Sequence, residues 1–151
     1  MPQMNHILLS TRGLVKLYDQ HLENIRTEHH LSHIEITIIS FLHNYSGRDT
    51  ATDISEIRML PKGNVSQGVE SLIQKALLLR TPDTSDRRKI HLSLTEKAMP
   101  IVEEIEKAKT IFGKKIFDGF SPEELDLYLK MNERIHCNVQ RELKGDKKDD
   151  K

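Results

Sequence analysis

Two short stretches of the chain carry side chains suited to reading a nucleic acid. Asp86-Arg87-Arg88-Lys89 places three cations in a row after a turn, and guanidinium groups on a protruding loop suit the narrow, electronegative minor groove of DNA. Between Lys62 and Ala76, a helical wheel gathers Val65, Val69, Leu72 and Ala76 on one face, with Ile73 at its edge. Opposite them fall Gly63, Asn64, Gln67, Glu70 and Ser71. Short side chains there permit close approach to base edges, and Asn64 or Gln67 can pair bidentately with adenine. Lys62 and the free amides of the first turn can meet phosphates, with Ser66 and Ser71 completing the candidate set. Asp86 suits this company only if it holds an arginine in place through a charge-assisted bond. The bland alternatives are an idle polar helix face and a solvated turn. Both features in one chain, at this separation, favour double-stranded DNA as partner.

Other chemistries find less support. The chain has no Gly-rich phosphate loop, no Gly-x-Ser-x-Gly and no His-Glu-x-x-His, so nothing marks an enzyme or a cofactor site. Carboxylate pairs such as Glu103-Glu104 sit beside lysines and read as solvated. His29 and His33 are four residues apart, with Glu28 and His30 adjacent, but they straddle a helix start at Ser32, and no second His-x-x-x-His follows. A structural or exposed role is the expectation for them, and no metal site is assigned. Cys137, on the last helix among His136, Asn138 and Arg141, reads as a packed or idle thiol rather than a redox sensor.

The elements that must hold these residues can be read with a mechanism. Ser32-His33-Ile34-Glu35 is a capping box, with Leu31 and Ile36 as its staple. Ile34, Ile38, Phe41, Leu42 and Tyr45 follow at helical spacing and stop near Ser46-Gly47. Thr50 caps a short helix to Arg58, Met59-Leu60-Pro61 breaks it, and a second helix starts at Lys62. Leu77–Thr81 and Lys89–Leu94 read as strands around the turn residues Pro82-Asp83-Thr84-Ser85-Asp86. In the second strand Ile90, Leu92 and Leu94 should share one side. Three long helices remain. The first carries Ile7, Leu14, Tyr18, Leu22 and Ile25, and another, capped by Thr95, carries Ile101, Ile105, Ala108, Phe112 and Ile116. The last, boxed by Ser121 and Glu124 with Pro122 at its first position, runs to about Leu143 with Tyr128, Met131, Ile135 and Val139 on one face.

The fold class that results is mainly α with a small β-hairpin wing. A winged helix-turn-helix at 31–95 is flanked by helices at 1–30 and 96–144 that bury their stripes in a dimer, and a charged tail at 145–151 is expected to be disordered. Composition is consistent with this. The 151 residues carry 23 basic and 23 acidic side chains, and the net charge is zero. That balance is local cancellation: Arg58 to Thr95 holds seven cations against three carboxylates, a net of +4, and the flanks are neutral or acidic. The longest apolar run, Ala76–Leu79, is too short to span a membrane. The first 30 residues lack the pattern of a secretory signal, and a lone cysteine suits a reducing compartment, so a cytoplasmic protein is expected.

Leu72 to Arg80, then Pro82-Asp83, Ser85-Asp86-Arg87-Arg88, Leu94-Thr95 and Glu96-Lys97-Ala98, resembles the recognition-helix and wing region of MarR-type transcriptional regulators. The likeness is densest at SDRR and LTEKA, and the helix order extends it over residues 5–144. The resemblance implies a triangular homodimer joined through its first and last helices. It implies Gly63, Asn64 and Gln67 in the major groove, Arg88 as the minor-groove arginine, and Asp86 and Arg87 as shapers of the wing. It further implies a repressor on a pseudo-palindromic operator, released by a small apolar or phenolic effector in a cleft that Tyr18, Tyr45 and Phe112 can line. Three positions depart from the family pattern. Ala76 replaces the usual Gly after the recognition helix, Ser85 replaces a frequent wing Arg, and Gln67 stands where Arg is common. The rival readings are a winged-helix protein adaptor without DNA binding and a metal- or thiol-responsive regulator.

Overall fold

The computed structural model describes residues 2–145. Chain contacts divide it into two compact units that meet between Phe112 and Gly113. In the first lie α1 (Pro2–His29), α2 (His33–Asn44), α3 (Ala51–Ile57), α4 (Lys62–Gln74), β1 (Leu78–Pro82), β2 (Ile90–Leu94) and a 3-10 turn, Glu96–Ala98. The helix α5 (Met99–Ile116) starts in the first unit and ends in the second, which α6 (Pro122–Gly145) completes. The charged tail expected at 145–151 lies outside the described residues, save for Gly145 at the end of α6.

Helix starts follow the local chemistry. The Ser32 hydroxyl accepts from the Glu35 amide at 3.3 Å, and the Glu35 carboxylate takes the Ser32 amide at 3.1 Å. Thr50 forms the same reciprocal pair with Asp53, and Ser121 with Glu124. Thr95 is different. Its side chain makes no cap bond; its hydroxyl donates instead to the Ala76 carbonyl at 2.7 Å, and the long helix begins only at Met99. The carbonyls at the end of α4 have no helical partner of their own, and this is where Thr95 is spent.

The first unit closes on one apolar core. Ile38 and Ile39 of α2, Ile54 of α3, Val65 and Leu72 of α4, Leu78 of β1 and Ile105 of α5 are fully or almost fully buried. Gly68 lets α2 and α4 approach, since a Cβ there would stand 2.7 Å from Ile38 Cδ1 and 3.3 Å from two Ile34 carbons. Ala76 does not share the buried face of α4 as the wheel suggested. It is exposed and lies beyond the helix with φ +60°, the left-handed conformation that stops an α-helix and costs a residue with a Cβ. Leu77, one position later, fills the core.

The strands pair antiparallel in the register Leu78↔Leu94 to Pro82↔Ile90. Leu92 is buried and Leu94 half-buried, but Ile90 is exposed because it sits at the outer end of the hairpin, beyond the core. In the second unit, Phe117 meets Phe120 and Tyr128 edge-on at 5.6 and 5.5 Å, around Gly119 at φ +83°. No residue of α6 is buried. Its Tyr128, Met131, Ile135 and Val139 form an exposed apolar stripe.

Candidate nucleic-acid interface

The turn between α3 and α4 sets the exit angle of α4. Met59 adopts φ +52°, Leu60 donates its amide to the Ser55 carbonyl, and the buried Ser55 hydroxyl donates to the Leu60 carbonyl at 2.6 Å. Pro61 then supplies the N-cap with no side-chain acceptor. The first-turn amides of α4 therefore keep their hydrogen-bonding capacity, and the helix dipole favours an anion there. Lys62, Gly63, Asn64, Ser66 and Gln67 are all exposed around this end. The space beside Gly63 is open.

Ser71 is placed elsewhere. It is half-buried, and its hydroxyl donates to Glu35 Oε2 at 3.2 Å. Glu35, buried although charged, also receives Lys75 Nζ at 2.8 and 3.0 Å. Burial pushes its carboxyl up, but the Lys75 and Ser32 hydrogen bonds outweigh that and hold it below the usual carboxylate value. Lys75 Nζ further donates to the His30 carbonyl at 2.7 Å. Beyond it, Lys97 Nζ donates to the Lys75 carbonyl at 3.0 Å, beside the Thr95–Ala76 bond. The LTEKA segment thus ties off the carboxyl end of α4.

The wing is organised by Asp83, in the turn between the strands. Asp83 Oδ2 accepts from the Ser85 amide, the Ser85 hydroxyl and the Asp86 amide at 2.8–3.0 Å. Its other oxygen lies 2.7 Å from His91 Nε2, and His91 Nδ1 lies 2.7 Å from Asp49 Oδ1, in the loop before α3. An imidazole facing two carboxylates satisfies both only when each nitrogen carries a proton. Asp49, then Asp83, accordingly raises the His91 pKa above 6.5. The His91 bond and the loop amides hold Asp83 well below the carboxylate range. The Leu92 amide adds a backbone bond to the Asp49 carbonyl at 2.8 Å. Signals for this clamp existed in Pro82-Asp83-x-Ser and the polar His91 of an alternating strand, but only the fold brings Asp49 to them.

Asp86 supports the wing through backbone amides rather than through an ion pair with an arginine. Its carboxylate accepts from the Arg88 amide at 3.0 Å and its carbonyl from the Lys89 amide. The charged ends of Arg87, Arg88 and Lys89 are exposed and pair with no described residue. Arg80 is bound to Glu70, and Lys75 to Glu35. The local charge excess therefore resolves into free cations at the start of α4 and on the wing.

Tyr18, Tyr45 and Phe112 do come together, around a cavity of about 770 Å³ between α1, α2 and α5 within the first unit. Tyr18 and Phe112 rings lie 5.2 Å apart, and Phe41 stacks on Tyr45 at 4.5 Å. Burial raises the Tyr18 pKa, partly countered by Arg58. Arg26, His33, Arg58 and Lys109 also line the cavity. Arg26 contacts His33 through one terminal nitrogen, while its Nε is buried with no hydrogen-bond partner among the described residues. His29 and His33 part company: His33 faces Asp19 and Arg26 in the cavity, and His29 meets Glu104 of α5 at 2.6 Å. Glu104 is thus half-buried against an imidazole, not a solvated carboxylate. Cys137 is exposed, not packed.

A helix-turn-helix followed by a tied hairpin, with long helices before and after it, defines a winged-helix fold. Residues 30–89 match the model of the MarR family. The fold agrees with the transcriptional regulator SlyA at a TM-score of 0.78 and 15% identity, over 90% of this chain and 95% of that one. It also agrees with a MarR regulator from Methanosarcina mazei Go1 (TM-score 0.76, 15% identity, 90% and 98% covered). A third likeness is to BpsR of Bordetella bronchiseptica, whose DNA binding is regulated by 6-hydroxynicotinic acid (TM-score 0.68, 20% identity, 89% and 98% covered). With residues 30–89 matching that family model, the chain carries the fold of solved MarR-type regulators. No helix among the described residues is long and apolar enough to cross a membrane.

Proposed function

We propose that the protein is a sequence-specific DNA-binding regulator that acts as a homodimer on a pseudo-palindromic operator, as a repressor released by a small effector. One observation carries this reading: the free cations of the wing and the open, amide-bearing start of α4 belong to one reading unit, whose wing is tied to the loop before α3. Gly63, Asn64 and Gln67 meet base edges in the major groove. Lys62, Ser66 and the first-turn amides hold phosphates. Arg88 enters the minor groove, flanked by Arg87 and Lys89. Ser71 contributes indirectly, by fixing α4 through Glu35.

Dimerisation is supported by the apolar faces left exposed on both terminal helices, with Ile7, Leu8 and Leu9 on α1 and the stripe on α6. The cavity beside Tyr18 and Phe112 has the size of small-ligand sites. Its aromatic walls and the cationic Arg58 and Lys109 side chains in its lining suit an aromatic effector with a hydroxyl or acidic group.

Selection of bound fragments from a random DNA pool, followed by a salt titration on the winner, tests the reading. Enrichment of an inverted repeat with half-site centres about one helical turn apart is expected. Arg88→Ala should weaken binding and reduce the salt dependence by about one released counterion. A pool that stays random at low salt would sink the proposal.

A further inference from the structure

The end of α1 and the middle of α5 bring together three groups that the DNA reading does not use. His29 Nε2 lies 2.6 Å from Glu104 Oε2, and one carboxylate oxygen of Glu28 joins them, with all three atoms within 4.8 Å of one another. Glu28 is exposed, His29 and Glu104 half-buried. Neither carboxylate forms an ion pair with a Lys or Arg among the described residues, so the cluster concentrates negative charge beside one imidazole. From these residues we propose that Glu28, His29 and Glu104 bind a divalent transition-metal ion of the zinc type, clamping α1 to α5.

The chemistry is specific in two respects. One imidazole with two carboxylates, completed by water, is a three-ligand set that zinc and cobalt accept, whereas magnesium and calcium take oxygen ligands. Metal–ligand bonds of about 2.0–2.2 Å place tetrahedral neighbours roughly 3.4 Å apart. The His29–Glu104 contact must then open by less than about 1 Å, and Glu28 must swing inward, which its exposure permits. The ligands come from two elements 75 residues apart in sequence, so a bound ion would crosslink them. His29 also ends α1 immediately before His30, whose carbonyl receives Lys75 from the end of the reading helix. Fixing this terminus would fix the seat of Lys75.

Cobalt titration of the full-length chain tests the site. One equivalent of Co²⁺ should give the intense visible bands of tetrahedral coordination, and Zn²⁺ should abolish them. Glu104→Gln and His29→Gln should each weaken Co²⁺ binding at least about tenfold. So should Glu28→Gln, whose exposure removes any question of folding. Absence of tetrahedral bands at one equivalent, or bands undiminished in Glu28→Gln and Glu104→Gln, overturns the proposal. A change in DNA affinity on adding Zn²⁺ is the expected consequence, and that part alone rests on the DNA-binding reading. If the protein retains no DNA either with or without Zn²⁺, that reading fails while the cobalt spectrum still decides the site.

Discussion

α4 and the hairpin wing form the two halves of the candidate interface but are held by different means. α4 is fixed by buried apolar contacts, a close approach at Gly68 and a mostly buried ion pair at its carboxyl end. The wing is fixed by half-buried polar groups: a carboxylate hub at Asp83, one imidazole, and the Asp49 loop. Apolar packing responds little to pH, while a half-buried clamp that needs an imidazolium responds to it directly. The position of α4 should therefore be constant across conditions in which the wing loosens.

The largest effect expected from breaking this contrast is at Lys75. Lys75→Met leaves Glu35 ionised, buried and without its cation, and should cost about 3 kcal/mol, read as a lowered midpoint in chemical denaturation. An unchanged midpoint would mean that α4 relies on apolar contacts alone. Gly68→Ala comes next. Its methyl would intrude on fully buried Ile38, for a loss of about 2 kcal/mol by overpacking, with the pH response of the wing intact. Ala76→Gly should stabilise by about 0.5–1 kcal/mol, since it relieves a left-handed alanine; a loss of stability there would contradict the strain.

The smallest effect concerns His91. Its folded pKa is raised above 6.5, so the clamp is fully present below that pH and is lost as pH rises through the raised value. Asp83, held low, stays ionised throughout. DNA affinity should fall on the order of a few-fold across this window, and His91→Gln should flatten the profile. An identical profile in wild type and His91→Gln would show that the wing does not need its imidazolium.

The same contrast governs what could be read from sequence. Capping boxes at Ser32 and Ser121 were legible because cap and partner are three residues apart, and so was the apolar face of α4 through Leu72. Local spacing also misled. Thr95 has the context of an N-cap, yet its hydroxyl serves a carbonyl 19 residues earlier. Ala76 continues the apolar period but ends the helix, because the chain must reverse into β1. The candidate DNA face was legible as exposed residue types, except Ser71, whose partner Glu35 lies 36 positions away. The Asp49–His91–Asp83 clamp and the His29–Glu104 contact were illegible for the same reason. They join residues whose separations of 42 and 75 are set by the fold and carry no local signature.

Glu35 has a consequence for how the molecule opens. One carboxylate completes the first turn of α2 and receives both Ser71 and Lys75 from the last turn of α4. Neither helix end can fray without exposing the partner that the other depends on. Amide hydrogen exchange should therefore find the start of α2 and the close of α4 in one cooperative unit, released together although nearly forty residues of chain lie between them.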